Sequence, residues 1–209
     1  MKKLILTMGL VAAVTAVYAQ GTINFQNSFL TPISLRIQNT DGTYTTPVAV
    51  PTTAGLVDYG VFYGSASGSL SLVPVTTSTP LFANSTGAAG VVAAPTTAFA
   101  IPGSNPGDTT WFVQVRGWSA SYGTDWSTAQ TDFNNGVAKT IWGTSAIASG
   151  FALGPAAGPG YAIWQAASGT STAKIGAFVL TQAAGVPEPS TMALAGLGLA
   201  GMLIFRRRK

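Results

Sequence analysis

The chain has 209 residues, contains neither histidine nor cysteine, and carries a formal net charge of +4. The absence of these two residue types excludes Ser-His-Asp catalysis, thiol nucleophiles, disulfide bonds and metal sites built on imidazole or thiolate. The positive charge lies at the two ends, because residues 20–185 hold four basic residues against five aspartates, a net charge of −1. No basic patch remains there to neutralise phosphates, so we predict no nucleic-acid partner. We also predict no metal and no cofactor.

The N-terminus is typical of a secretory signal peptide. Lys2 and Lys3 precede an uncharged apolar run over residues 4–17, and small residues stand at Val17 and Ala19. A basic start, an apolar middle and small residues before the cut define such a peptide. We therefore predict a signal peptide over residues 1–19, export through the Sec translocon, cleavage between Ala19 and Gln20, and one domain over residues 20–185.

Short alternating segments indicate that this domain is built from strands. In residues 33–38 (ISLRIQ) apolar and polar side chains alternate, and an Asp-Gly turn then leads into residues 44–50, which predicts a hairpin. Residues 56–64 (LVDYGVFYG) and 109–119 (TTWFVQVRGWS) also alternate, the second with both faces at least partly covered. Residues 174–181 (KIGAFVLT) would form the closing strand.

The spacing of these strands decides the predicted fold class. Clusters of Gly, Pro, Ser and Thr separate them, and residues 76–106 and 154–172 are long, weakly charged stretches of small residues. One short helix is predicted near residues 126–133. The pattern favours a mostly β fold, an antiparallel β-sandwich of jelly-roll or Ig-like type with long loops. The signal helix and a C-terminal transmembrane helix complete the predicted architecture.

The aspartates offer the only remaining route to catalysis. Asp41 and Asp108 stand in turn sequences. Asp125 and Asp132 are seven apart, so on a helix they would share a face about 10 Å apart along the axis, as a carboxylate pair for glycoside hydrolysis. Asp125 could equally cap a helix that begins near Trp126, the more common use. We predict that the protein is not an enzyme and has no catalytic residues, with this pair as a weak alternative.

Tryptophan provides the main candidate for binding. The stretch RGWSASYGTDW brings Arg116, Trp118, Tyr122, Asp125 and Trp126 together. Aromatic faces with a few polar groups beside them are the usual lining of a sugar site. Core packing is the favoured use of tryptophan in a small domain. Trp118 and Trp126 are the two that we expect to be exposed, because Gly, Ser and Asp surround them.

The C-terminus combines three features in a set order over residues 186–209. The motif comes first, then an uncharged apolar run over residues 192–205 about 21 Å long as a helix, then a basic end. A bilayer core of ~30 Å requires either that residues 186–191 extend the span or that the bilayer thins locally, and the transmembrane segment is predicted at about residues 190–205. The basic end stops transfer on the cytoplasmic side. The motif is Val186, Pro187, Glu188, Pro189 and Ser190, and the basic end is Arg206, Arg207, Arg208 and Lys209.

This order resembles the PEP-CTERM sorting signal of Gram-negative bacteria. In that family, Pro-Glu-Pro, the membrane segment and the arginines direct processing by exosortase, a membrane-embedded transpeptidase-like protease, in species that make exopolysaccharide. The two prolines around Glu188 also disfavour helix, which leaves an extended segment for a protease. The resemblance implies an exported protein of the cell surface or extracellular matrix, anchored transiently or permanently in the inner membrane by the C-terminal helix.

Three functions remain open after the sequence is read. The first is a structural or interaction protein associated with exopolysaccharide. The second is a carbohydrate-binding module that uses exposed tryptophans. The third is a glycoside-acting enzyme based on Asp125 and Asp132.

Overall fold

A computed structural model describes residues 20–24, 33–73, 81–92, 98–150, 152–155, 161–162, 175–185 and 197. The mostly β class is confirmed, since strands make up most of the regular structure there. The strands are β1 (Thr22–Asn24), β2 (Ser34–Ile37), β3 (Val48–Ala49), β4 (Val57–Gly64), β5 (Ser71–Leu72), β6 (Phe82–Ala83), β7 (Phe99–Ala100), β8 (Phe112–Ser119), β9 (Ile141–Thr144), β10 (Tyr161–Ala162) and β11 (Val179–Gln182). The helices are a 3-10 turn (Ala120–Tyr122) and α1 (Trp126–Asn134).

The strands form one large sheet and one small sheet. The large sheet runs β3-β2-β11-β9-β8-β4-β5, with β6 also paired to β4, and the small sheet runs β10-β1-β7. Of the nine strand pairings among the described residues, seven are antiparallel, while β11 with β2 and β1 with β10 are parallel. The large sheet is therefore mixed, not antiparallel throughout. The alternation of apolar and polar residues shows which face of a sheet a side chain takes, but it does not show which strand lies beside it. The parallel β2–β11 pair, which joins the first and last parts of the domain, could therefore not be predicted.

The predicted hairpin is confirmed in β2 and β3. Leu35 pairs with Val48, and the turn between the strands contains Gly42 with a φ of +82°. That left-handed conformation is readily accessible to glycine. The Asp41 carboxylate accepts a hydrogen bond from the Thr43 backbone N–H at 2.9 Å, as expected of a turn-forming aspartate.

The two faces of the large sheet are covered differently. On the first, which we call the core face, aliphatic residues of the long strands pack with Ile23 of β1 and with Ile101 and Leu153. On the second, the helix face, α1 covers a smaller cluster built from Phe62, Trp118 and Trp142. The two long central strands supply both faces, as predicted for residues 109–119.

Both predicted ends lie largely outside the described residues. That applies to the signal peptide over residues 1–19 and to the C-terminal segment over residues 186–209, of which only Leu197 is described. Among the described residues, no helix combines the length and apolar character needed to cross a bilayer.

Candidate functional site

The predicted binding residues converge on the helix face. The register pairs Trp118 on β8 with Trp142 on β9, and residues two apart on a strand share a face, so Arg116 lies beside Trp118. The short turn after β8 brings Tyr122 and the start of α1 back over this surface. We call the resulting group the aromatic cluster: Phe62, Trp118, Tyr122, Trp126, Phe133 and Trp142.

Trp118 is fully buried, so the prediction that it would be an exposed platform is wrong. Its accessible fraction is 0%, and its indole N–H donates to the Gly123 carbonyl at 2.8 Å. The small polar residues that suggested exposure form the turn that folds over the ring. α1 covers the face on which Trp118 lies, and strand alternation could not reveal that helix contact.

Trp126 fits the prediction better, because its ring is only half-buried at the first turn of α1. It packs edge-on against Phe62, with centroids 5.1 Å apart, and stacks on Trp142 at 6.4 Å. The Arg116 guanidinium carbon lies 4.0 Å from the Phe62 centroid and 4.8 Å from that of Trp126. The cation is thus held in position against two rings, while burial lowers the pKa of the Arg116 guanidinium.

Asp125 acts as the N-cap of α1, the alternative weighed from the sequence. Its carboxylate accepts from the Thr128 backbone N–H at 3.1 Å, and from the hydroxyls of Thr128 at 2.7 Å and Ser127 at 3.0 Å. The hydrogen bonds from Thr128 and then Ser127 hold the pKa of Asp125 below its usual value. The group is therefore ionised at neutral pH, which does not suit a general acid.

The second carboxylate of the pair is bound by a different partner. Tyr122 donates its hydroxyl to Asp132 at 2.8 Å and also lies 3.4 Å from the Thr140 hydroxyl. Asp132 and Tyr122 therefore connect α1 to the loop that follows β8, and this bond orients the Tyr122 ring within the aromatic cluster.

Sequence reasoning missed Asp58, which lies on β4 directly opposite Trp118. Burial raises the pKa of Asp58 from 3.8 to about 6. The carboxyl shares the helix face with Phe62, since both stand at even positions of β4. The available signal was a lone carboxylate inside an otherwise apolar strand, on the face opposite Val57 and Tyr59. Among the described residues, no group of three acidic side chains is placed to bind a metal ion.

The described domain remains hydrogen-bonded almost to the start of the sorting motif. After β11, the Ala183 N–H donates to the Thr140 carbonyl at 2.8 Å, and the Lys139 N–H donates to the Ala183 carbonyl at 3.0 Å. Gly185 has a φ of +79°, and a Cβ there would lie 2.5 Å from that of Ala138, so only glycine fits. Gln20 is the first described residue, whereas Ala19, the motif at residues 186–190 and the basic end at 206–209 lie outside.

Comparison with known families identifies the C-terminal segment. The model of the PEP-CTERM protein-sorting motif matches residues 185–209, which confirms the resemblance predicted from Pro187, Glu188 and Pro189. The match supports an exported protein with a C-terminal sorting signal that an exosortase processes. No curated protein matches the chain, and no solved structure matches it.

Proposed function

We propose that this chain, which carries a PEP-CTERM sorting signal, is a non-catalytic structural or interaction protein of the cell surface or extracellular matrix, associated with exopolysaccharide. Its route begins with a signal peptide read by the Sec translocon. The C-terminal helix then holds it in the inner membrane until an exosortase acts near Pro187–Pro189. The observation that carries this proposal is the sorting motif at residues 185–209, which begins two residues after Ala183, where the hydrogen bonds described above end.

Four of the five carboxylates of the domain support a non-catalytic role. Asp125 is committed to capping α1, and Asp132 accepts from Tyr122. Asp41 and Asp108 accept backbone N–H bonds within turns, from Thr43 and Asn105. Each of these four groups is used to stabilise local structure. A test is to incubate host polysaccharide with the protein and to measure the release of reducing ends. We expect no release with the unaltered protein and none with the Asp132→Asn variant.

The sorting half of the proposal is tested by the intact mass of the protein from its native host. Cell-associated and secreted fractions would be measured separately. We expect a species that begins at Gln20 and ends near the motif, and a variant with alanine at Pro187, Glu188 and Pro189 should retain the arginines. If the unaltered protein keeps residues 205–209 in every fraction, the chain is a permanently anchored protein and the processing step is wrong.

The proposed structural role in the extracellular matrix is tested by deleting the gene and measuring surface adhesion and matrix cohesion. We expect both to fall, and we expect restoration by the unaltered gene but not by one that lacks residues 186–209. Unchanged adhesion and cohesion after deletion would contradict a structural role.

The geometry of Trp126 favours carbohydrate binding as a second candidate function. Its half-buried ring, the Arg116 guanidinium 4.8 Å away, and the nearby Tyr122 and Asp125 combine an aromatic face with polar groups. Such a combination stacks on a sugar ring while hydrogen-bonding its hydroxyls. Trp118 is excluded from direct contact by its burial.

Tryptophan fluorescence during titration with host exopolysaccharide tests this candidate. We expect a spectral shift that Trp126→Ala abolishes. Trp111→Ala is the matched control, because Trp111 is also partly buried but packs against Tyr63 and the core face. A shift that survives in Trp126→Ala, or none with any host polymer, would contradict binding at this site.

A further inference from the structure

We propose that the end of the domain from which the C-terminal segment departs is a membrane-contact surface, which rests on the lipid headgroups while the chain is anchored. We call it the exit surface: the hairpin turn and its flanks at residues 37–44, the α1–β9 loop at residues 136–139, and residues 184–185. The inference rests on the proposed insertion of the C-terminal helix, and it adds the part of the folded domain that meets the bilayer.

Three segments converge at this end of the large sheet. β11 runs parallel to β2, with Gln182 beside Ile37, so both strands end at the same end of the sheet. The Gln38 N–H continues the ladder by donating to the Gln182 carbonyl at 2.9 Å. The α1–β9 loop joins them through Lys139, as described above. A cavity of ≈ 240 Å³ lies between the segments, lined by Gln38, Asn39, Thr40, Gly42, Gly136, Ala184 and Gly185.

The length of chain beyond this surface limits how far the bilayer can be. The apolar run begins at residue 192, seven residues after Gly185. Seven residues reach at most about 25 Å when fully extended, at ~3.6 Å each. Any residue before position 192 that enters the bilayer shortens this reach further. The connection therefore keeps the exit surface within about 25 Å of the membrane.

The side chains of the exit surface suit that position. Ile37, Tyr44 and Val137 are 45%, 48% and 44% exposed, half of the large hydrophobic residues exposed in the described part of the domain. The Arg36 guanidinium carbon lies 4.0 Å from the Tyr44 centroid, and Lys139 follows Val137 in the loop. Tyrosine with an apolar body and polar tip, and long cations that keep their charge in water, are favoured at the headgroup level.

At the opposite end of the sheet, where Ile147 and Val179 are also exposed, one loop has a different composition. The loop after β4, residues 65–69, is exposed throughout and consists of Ser, Ala and Gly only. The one acidic group on the exit surface is Asp41, whose carboxylate is satisfied by hydrogen bonds from the Thr43 hydroxyl and N–H. Lys139 offsets Asp41 within the exit surface, and Arg36 beside it adds a single positive charge, so apolar contact should matter more than lipid charge.

The absence of native cysteine allows single-site labelling of the full chain. Val137→Cys and Thr40→Cys would each carry an environment-sensitive fluorophore, with the chain reconstituted in phosphatidylcholine vesicles. Ser67→Cys in the opposite loop is the matched control, since all three positions are exposed in the domain. We expect emission at shorter wavelength and quenching by brominated lipid at residues 137 and 40, and neither effect at residue 67.

Flotation of the vesicles distinguishes a failure of this inference from a failure of the proposed membrane anchor. Co-flotation of the chain together with emission at residues 137 and 40 equal to that at residue 67 would overturn this inference alone. A chain that does not float with the vesicles lacks the membrane anchor, which overturns both the inference and the proposed route.

Discussion

The core face and the helix face of the large sheet bury their side chains by different means. The core face is filled by aliphatic residues from many strands, and glycines make room for its larger groups: a Cβ at Gly117 would lie 2.9 Å from both Tyr59 and Leu180. The helix face is filled by a few large rings under one helix, and the buried Trp118 indole N–H there has a hydrogen-bond partner.

The difference between the two faces shows which one can hold a binding site without a loss of stability. The core face buries its aliphatic residues and Tyr59, which stabilises the domain, and its two partly buried rings, Tyr63 and Trp111, pack against each other. On the helix face the cluster opens towards solvent at Trp126 and Arg116, while Trp118 beneath them is enclosed. A surface residue supported by a buried one is held in place by packing, as a binding platform needs.

The largest expected effect comes from removing the enclosed ring. Trp118→Ala deletes a fully buried side chain and the partner of the Gly123 carbonyl, so we expect a loss of about 3–5 kcal/mol in the free energy of unfolding. Chemical denaturation checks this value. Trp126→Ala, at a half-buried position in the same cluster, should cost clearly less. Equal losses for the two variants would mean that the distinction between enclosed and open rings is wrong.

A second test uses pH. Because burial raises the pKa of Asp58 to about 6, the folded state binds this proton more tightly than the unfolded state, whose value is near 3.8. The ionised carboxylate therefore reduces stability as pH rises from about 4 to 6, and the full cost is present above that range. Asp58→Asn should raise the thermal midpoint more at pH 8 than at pH 4.

Asp125→Asn serves as the comparison for this pH dependence. The pKa of Asp125 is lowered by its capping bonds, so ionisation of Asp125 favours the folded state. Its replacement should lower the midpoint at pH 8, opposite in sign to the change at Asp58. A gain at Asp58→Asn that is the same at both pH values would contradict a buried, titrating carboxylate.

The smallest effect is expected on the core face. The Tyr59 hydroxyl is buried and has no hydrogen-bond partner among the described residues. Removing an unpaired buried hydroxyl costs nothing in lost bonds, so Tyr59→Phe should leave stability unchanged or raise it by up to about 1 kcal/mol. Trp118→Phe is the counterpart on the helix face, where a made bond is lost, and it should be destabilising. A clear loss in Tyr59→Phe would contradict the difference between the faces.

Local patterns predicted many elements of the domain correctly. The alternation in residues 33–38, the Asp-Gly turn and the cap at Asp125 all appear as expected, because each depends on neighbouring residues. The parallel pairing of β2 with β11 could not be predicted, since it joins residues about 145 apart. The same holds for Trp118, whose burial depends on a helix that folds back over it.

The sequence by itself determined the sorting signal, the alternating strands and the lack of histidine and thiol chemistry, because these depend on residue type and order over short distances. Only the tertiary structure decided that Trp118 is enclosed while Trp126 is partly open, that Asp58 is half-buried, and that the hairpin turn and the α1–β9 loop meet where the chain leaves the domain. These properties arise from contacts between distant segments, and burial and electrostatic environment exist only once those segments are packed together.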